Sequence, residues 1–231
     1  MKQSFLAALL VGMALPSCAC AADISVQGNK IILAGTIEAG DFEKFYAKAQ
    51  PYDQAMTVHL HSAGGFILPA MKIGSMIRQK GWTTSVERVC HSACAFIWLS
   101  GVKRLKTENA HIGVHSPFDL KTGKPNEASS TVMTFYLGNL GYGEQLTKFI
   151  LATPPDKMRF LTRQDTARFG IEVTVVEPSL PKNAFAGINL RKRPDLPKMA
   201  PGFIPSAKLV EGGRVSTPKE PPTPVQAIPR P

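Results

Sequence analysis

Apolar and polar positions alternate in two rhythms along the middle of the chain. Residues 30–37 read as a strand, followed by a helix from about 41 to 49. Residues 57–61 give a second strand, with Gly64-Gly65 punctuating its end. Over residues 66–80 the positions Ile67, Ala70, Met71, Gly74 and Ile77 recur at helical spacing, and Pro69 falls in the first turn, where its missing N–H costs nothing. Residues 83–89 predict a third strand and 92–99 a short, wholly apolar helix. Two further strands follow at 103–105 and 111–115, then a long helix over 130–151 and a short one over 162–169. Strands alternating with helices imply βαβ-type units, an α/β fold and a mostly parallel sheet.

The two ends break this rhythm. Met1-Lys2-Gln3 is a weakly basic start, residues 5–15 are apolar, Pro16 interrupts them, and small residues follow. A basic start, a short apolar run and an A-x-A ending make a secretory signal peptide, and Ala19-Cys20-Ala21 predicts cleavage before Ala22. The run is short for a bilayer span. Leu15-Pro16-Ser17-Cys18 also loosely matches a lipoprotein box, in which Cys18 carries the lipid, so both a soluble and a tethered form stay open. Either places the protein in the periplasm or outside the cell.

Residues 181–231 hold 11 of the 19 prolines, and from Leu190 onward eight basic residues face three acidic ones, which is +5 of the formal +10. Such a stretch buries too little apolar surface to offset chain entropy, so a basic, Pro-rich, largely disordered tail is expected there. It is either a solvated appendage or an electrostatic contact with an anionic surface. No aromatic–basic interleaving suggests nucleic acid. The remaining 22–180 is one domain, and the whole chain's composition of 44% hydrophobic and 19% charged residues suits an ordinary globular core. Of four cysteines only Cys90 and Cys94 lie beyond the leader. In an oxidising compartment an even pair is compatible with a disulfide; two thiols alone do not complete a zinc shell.

Three segments carry candidate chemistry. His61-Ser62-Ala63-Gly64-Gly65-Phe66 joins a strand to a helix, and paired glycines there let backbone N–H groups approach an oxyanion. Read alone, it is also an ordinary tight turn. Cys90-His91-Ser92-Ala93-Cys94 sets Ser92 at the mouth of an apolar helix, as an N-cap or as a nucleophile. Ile112-Gly113-Val114-His115 ends a strand in a histidine, a packing residue or a base. His59 and His61 alternate on one strand face, but no carboxylate or cysteine obviously converges with them, so no metal is assigned. His91 borders Ser92 as an alternate base, with a surface role the simpler reading.

In this order the three segments resemble the core of the ClpP/crotonase superfamily, which includes the Clp protease proteolytic subunit and signal peptide peptidase A. Ser62-Ala63-Gly64-Gly65 is similar to the Ser-Pro-Gly-Gly turn of Clp-type peptidases, with Ala63 replacing the proline. Ser92 matches the nucleophile and His115 the base, and residues 160–171 resemble the Clp closing segment. The resemblance covers about residues 58–175. It implies a spiral of ββα units, a serine hydrolase that is a peptidase, a peptide or protein substrate, a homo-oligomer, and no cofactor or ATP. It assigns the oxyanion to the amides of Gly65 and Ala93. Clp peptidases carry an aspartate where Met158 stands here; Asp156, two residues upstream, is the candidate acid, and a Ser–His dyad is the alternative. A catalytically inactive binding or scaffold protein on the same fold is the rival reading.

Overall fold

The computed structural model describes residues 21–181, 183–188 and 190. The signal-peptide region through residue 20, with Cys18, and the basic residues 191–231 lie outside the described residues.

An eight-stranded mixed sheet, mostly parallel, carries the fold. Strands β1 (Asp23–Gln27) and β2 (Lys30–Ala34) form an antiparallel hairpin across Gly28-Asn29, where Gly28 takes φ +59°. From β2 the sheet runs parallel through β3 (Thr57–Ser62), β4 (Thr83–His91), β5 (Arg104–Lys106) and β8 (Thr174–Val175). Strand β6 (His111–Val114) also pairs in parallel with β4, and β7 (Arg159–Phe160) adds antiparallel to β6. The helices are α1 (Asp41–Ala49), α2 (Ile67–Gln79), α3 (Ala93–Ser100), α4 (Glu127–Asn139), α5 (Glu144–Leu151) and α6 (Arg163–Arg168).

The pleat explains which residues go where. Ile31 and Leu33 of β2 and Val58 and Leu60 of β3 enter the main core with the helices. Ile32 and Ala34, offset by one, face the other way and pack with Leu180 and Phe185. His59 and His61 share that second face. Helix α3 is buried at every position, which its apolar run 93–99 requires, and the Ser100 hydroxyl donates to the Ile97 carbonyl.

Strand β4 has two partners because it bends. Opposite Leu60 and Ser62 of β3 stand Val86 and Cys90 of β4, so β4 holds two extra residues between them. Such a bulge kinks a strand and redirects the residues beyond it. Before it, Thr84, Ser85 and Val86 pair with β5; after it, Val89, Cys90 and His91 pair with β6. The end of β4 is thereby delivered to the turn at the end of β3.

Three expectations change. The long helix over 130–151 is two helices, α4 and α5. Gly141 at φ +88° ends α4, its N–H donating to the Gly138 carbonyl and that of Tyr142 to the Leu137 carbonyl, the left-handed stop that glycine permits. The packed chain also continues past residue 180: Phe185, inside the Pro-rich stretch, is buried with its ring stacked 4.2 Å from that of His61. The short strands β7 and β8 and the N-terminal β1 add to the strands expected. Among the described residues no helix is long and apolar enough to cross a membrane.

Candidate active site

Ser92 sits between the bent end of β4 and the start of α3, and its backbone is the unusual feature of the chain. With φ +54° and ψ −124° it is the one described residue other than glycine at positive φ. An L-residue there costs about 1–3 kcal/mol and persists only where its surroundings enforce it. Here they do. The Ser92 N–H donates to the Gly113 carbonyl at 2.8 Å, and its carbonyl accepts from Ala95 at 2.9 Å. Cys90 and Cys94, one on each side, are joined by a disulfide with Cα atoms 5.2 Å apart, so the two thiols are consumed by each other. A ring closed over five residues is worth about 2 kcal/mol by loop-closure entropy, comparable to the strain it spans. Sharp strand-to-helix turns of this kind expose a serine hydroxyl above a sheet.

The glycine turn packs directly on this elbow. A β-carbon on Gly64 would come within 2.6 Å of the Ser92 β-carbon and 2.8 Å of the His91 carbonyl oxygen, so only glycine allows the approach. Ser62 braces the turn, its Oγ accepting from the Gly64 N–H at 3.0 Å. Gly65, at φ +143°, lies against the backbone of Ile37, which accepts from the Phe66 N–H and donates to the Gly64 carbonyl. The Gly65 N–H meets no acceptor among the described residues, and neither does the Ala93 N–H, which heads α3. Two residues whose amides meet no acceptor among the described residues thus line the cleft with Ser92, one of them at a positive helix end.

His115 lies one residue past β6. Its Nδ1 is 2.9 Å from the Ser116 carbonyl oxygen. A carbonyl only accepts, so Nδ1 carries the proton and Nε2 the lone pair in the neutral ring. The Ser116 N–H in turn donates to the Thr153 carbonyl at 2.9 Å, which pins the orienting group. Ser92, His115, Gly65 and Ala93 all line one cleft of about 1250 Å³.

Asp156 is not brought there. Its side chain is 73% exposed, 3.8 Å from the Lys157 ammonium, and it is absent from the cleft walls. Met158 does line the cleft and packs against Gly113. His91 departs from the surface role expected of it: it lines the cleft, its Nε2 is buried without a hydrogen-bond partner, and its ring tilts against Phe160 at 5.3 Å. Burial, then the neighbouring His111 and His115, pushes its pKa down, so it stands neutral at pH 7.

Large apolar side chains make up much of the rest of the cleft. Phe66, Leu68, Leu120, Val132 and Phe135 line it and are all more than one-third exposed, with Phe135 at 70%. Glu38 and Lys72 are the charged residues in its wall. Burial, then the charge of Asp41, raises the Glu38 pKa, and Lys44 partly opposes this.

His59 and His61 lie on the far face of the sheet. His59 Nδ1 is 3.7 Å from the Glu87 carboxylate, which holds the Ser179 and Leu180 amides. Burial drives both histidines down to about 4, so they are neutral packing residues at pH 7. Among the described residues no group of three or more metal-ligating side chains converges.

Sequence reasoning reached the residues around the cleft but not the elbow's backbone, which depends on the β4 bulge and the Gly64 contact. No protein-family model matches this chain and no curated protein does either, so the chemistry of the cleft is argued from its own residues.

Proposed function

We propose that this protein is an exported, ATP-independent serine hydrolase of the ClpP/crotonase type that cleaves acyl bonds of peptides through a Ser92–His115 dyad. The observation that carries the reading is the strained Ser92 elbow, clamped by a disulfide and sharing its cleft with Gly65 and Ala93, whose amides meet no acceptor among the described residues. Strain maintained by this many contacts is characteristic of functional positions. The split pairing of β4, which turns one strand between two directions, supports the spiral ββα arrangement.

In the first half-reaction His115 Nε2 takes the Ser92 hydroxyl proton as Oγ adds to the substrate carbonyl. The oxygen of the tetrahedral intermediate then faces the Gly65 and Ala93 amides, where fixed donors stabilise charge that develops only during reaction. Collapse expels the leaving amine, which receives the proton from His115. Water, deprotonated by the same nitrogen, releases the acyl group and restores the hydroxyl.

The Ser116 carbonyl takes the orienting part that a carboxylate plays in a triad. It selects the same tautomer, but as a neutral dipole it stabilises the imidazolium less. A dyad of this kind is expected to be a slow catalyst.

The test is reaction with a fluorophosphonate probe. Wild-type protein should be labelled at Ser92, Ser92→Ala should not be labelled, and His115→Ala should react roughly 10²–10⁴-fold more slowly. Equal labelling of wild type and Ser92→Ala refutes the proposal, and a wild type inert to the probe favours the noncatalytic scaffold.

A further inference from the structure

We infer that cleavage before Ala22 builds a buried ion pair into the fold, the new Ala22 α-ammonium becoming a second charged partner of Asp41, on Oδ2, beside Lys44 on Oδ1. The inference rests on the export reading and is independent of catalysis.

Asp41 opens α1 and is fully buried. Its Oδ1 accepts from Lys44, whose side chain is half exposed, at 2.9 Å. Its Oδ2 accepts from the Glu38 N–H at 2.7 Å and from the Ala22 N–H at 3.1 Å. Ala22 is itself buried, at 5% exposure. Gly35, at φ +109°, passes beside it, where an added β-carbon would meet the Ala22 α-carbon at 3.4 Å, an ordinary contact. The predicted cleavage bond therefore adjoins the one described backbone amide from outside the 38–44 corner that reaches this carboxylate.

In the intact chain that donor is a neutral amide. An export peptidase adds water across the Ala21–Ala22 bond, the Ala21 carboxylate leaves with the leader, and the Ala22 nitrogen becomes an ammonium at pH 7. A carboxylate removed from water is costly unless paired, and a cation at hydrogen-bond distance is the pairing it lacks on Oδ2. The same corner borders the cleft wall through its backbone. Glu38 shares the same oxygen, and the adjoining Ile37 exchanges backbone bonds with Gly64 and Phe66 on either side of Gly65.

The experiment compares a chain beginning at Ala22, released cleanly from a fusion, with one that keeps Ala21 behind an added glycine, each with and without Asp41→Asn. Urea unfolding should show Asp41→Asn costing the processed chain at least tenfold more in its folding equilibrium than the extended chain. Equal losses overturn the inference. If Asp41→Asn does not fold, the α-amine of the unmodified processed chain is titrated with an amine-selective acylating reagent. At least tenfold slower acylation in the native state than in urea supports the pairing, and equal rates overturn it. The intact mass of the exported protein should correspond to a chain starting at Ala22. A different first residue, such as a lipid-modified Cys18, overturns the cleavage itself, whereas a correct start without coupling overturns only the ion pair. Neither result bears on labelling of Ser92.

Discussion

Replacing Ser92 by glycine should make the protein more stable than replacing it by alanine. Both substitutions remove the hydroxyl, but alanine keeps the β-carbon that makes φ +54° unfavourable, and glycine does not. Relief of strain in this region is worth about 2 kcal/mol, from which the extra freedom of glycine in the unfolded chain takes back about 0.7 kcal/mol. The net gain of about 1 kcal/mol corresponds to a rise of roughly 2–4 °C in Tm for a domain of this size. Differential scanning calorimetry of Ser92→Gly and Ser92→Ala side by side reads this directly. Ser75, inside α2, is a suitable control. There glycine should be the worse of the two by about 1 kcal/mol, because helix interiors penalise it. A Ser92→Gly protein melting at or below Ser92→Ala refutes the idea that the elbow stores strain.

The same geometry makes three other outcomes testable. The Cys90→Ala, Cys94→Ala double variant should lose about 2 kcal/mol of stability and also react more slowly with fluorophosphonate, because the ring it opens spans Ser92; an unchanged labelling rate separates the disulfide from the site. Asp156→Asn should leave the labelling rate within about twofold, since exposed polar changes away from the site matter little; a tenfold loss restores Asp156 as the third member. His59 and His61 have folded-state pKa values lowered to about 4, below the 6.5 of the unfolded chain. Their neutral burial is therefore without cost above pH 6.5. Below it the unfolded chain gains protons that the native state refuses, so stability falls toward pH 4, by roughly 2–3 kcal/mol per histidine at pH 4.5. Urea midpoints between pH 7 and 4.5 check this, His61→Gln should remove about half of the slope, and a flat profile contradicts the burial argument.

How far the sequence reached depends on where the deciding interactions lie. Residues 30–37 and 57–61 read locally as strands, and β2 and β3 form over 30–34 and 57–62, with His59 and His61 on one face as expected. Helix α1 formed over residues 41–49, as its spacing predicts. The break between α4 and α5 was written in Leu140-Gly141-Tyr142-Gly143, where two glycines interrupt an otherwise apolar helical pattern; the spacing on either side masked it. Strands β7 and β8 have two residues each, too few to show any period. Phe185 sits in a stretch whose composition argues for disorder, and it is held by one ring contact with His61 and the neighbouring apolar surface. Around the cleft, local signals placed a serine at a helix mouth and two glycines after a strand. The positive φ of Ser92 and the uncommitted Gly65 amide arise from contacts between segments about 27 residues apart in sequence, which no local pattern encodes.

In the proposed mechanism the hydroxyl of Ser92 attacks while the amides of Gly65 and Ala93 receive the developing oxyanion. A crystal structure of the phosphonylated protein measures this directly. Phosphorus should be bonded to Ser92 Oγ, with its phosphoryl oxygen about 2.7–3.1 Å from both amide nitrogens. An adduct whose oxygen points away from those amides, or one formed on another side chain, contradicts it.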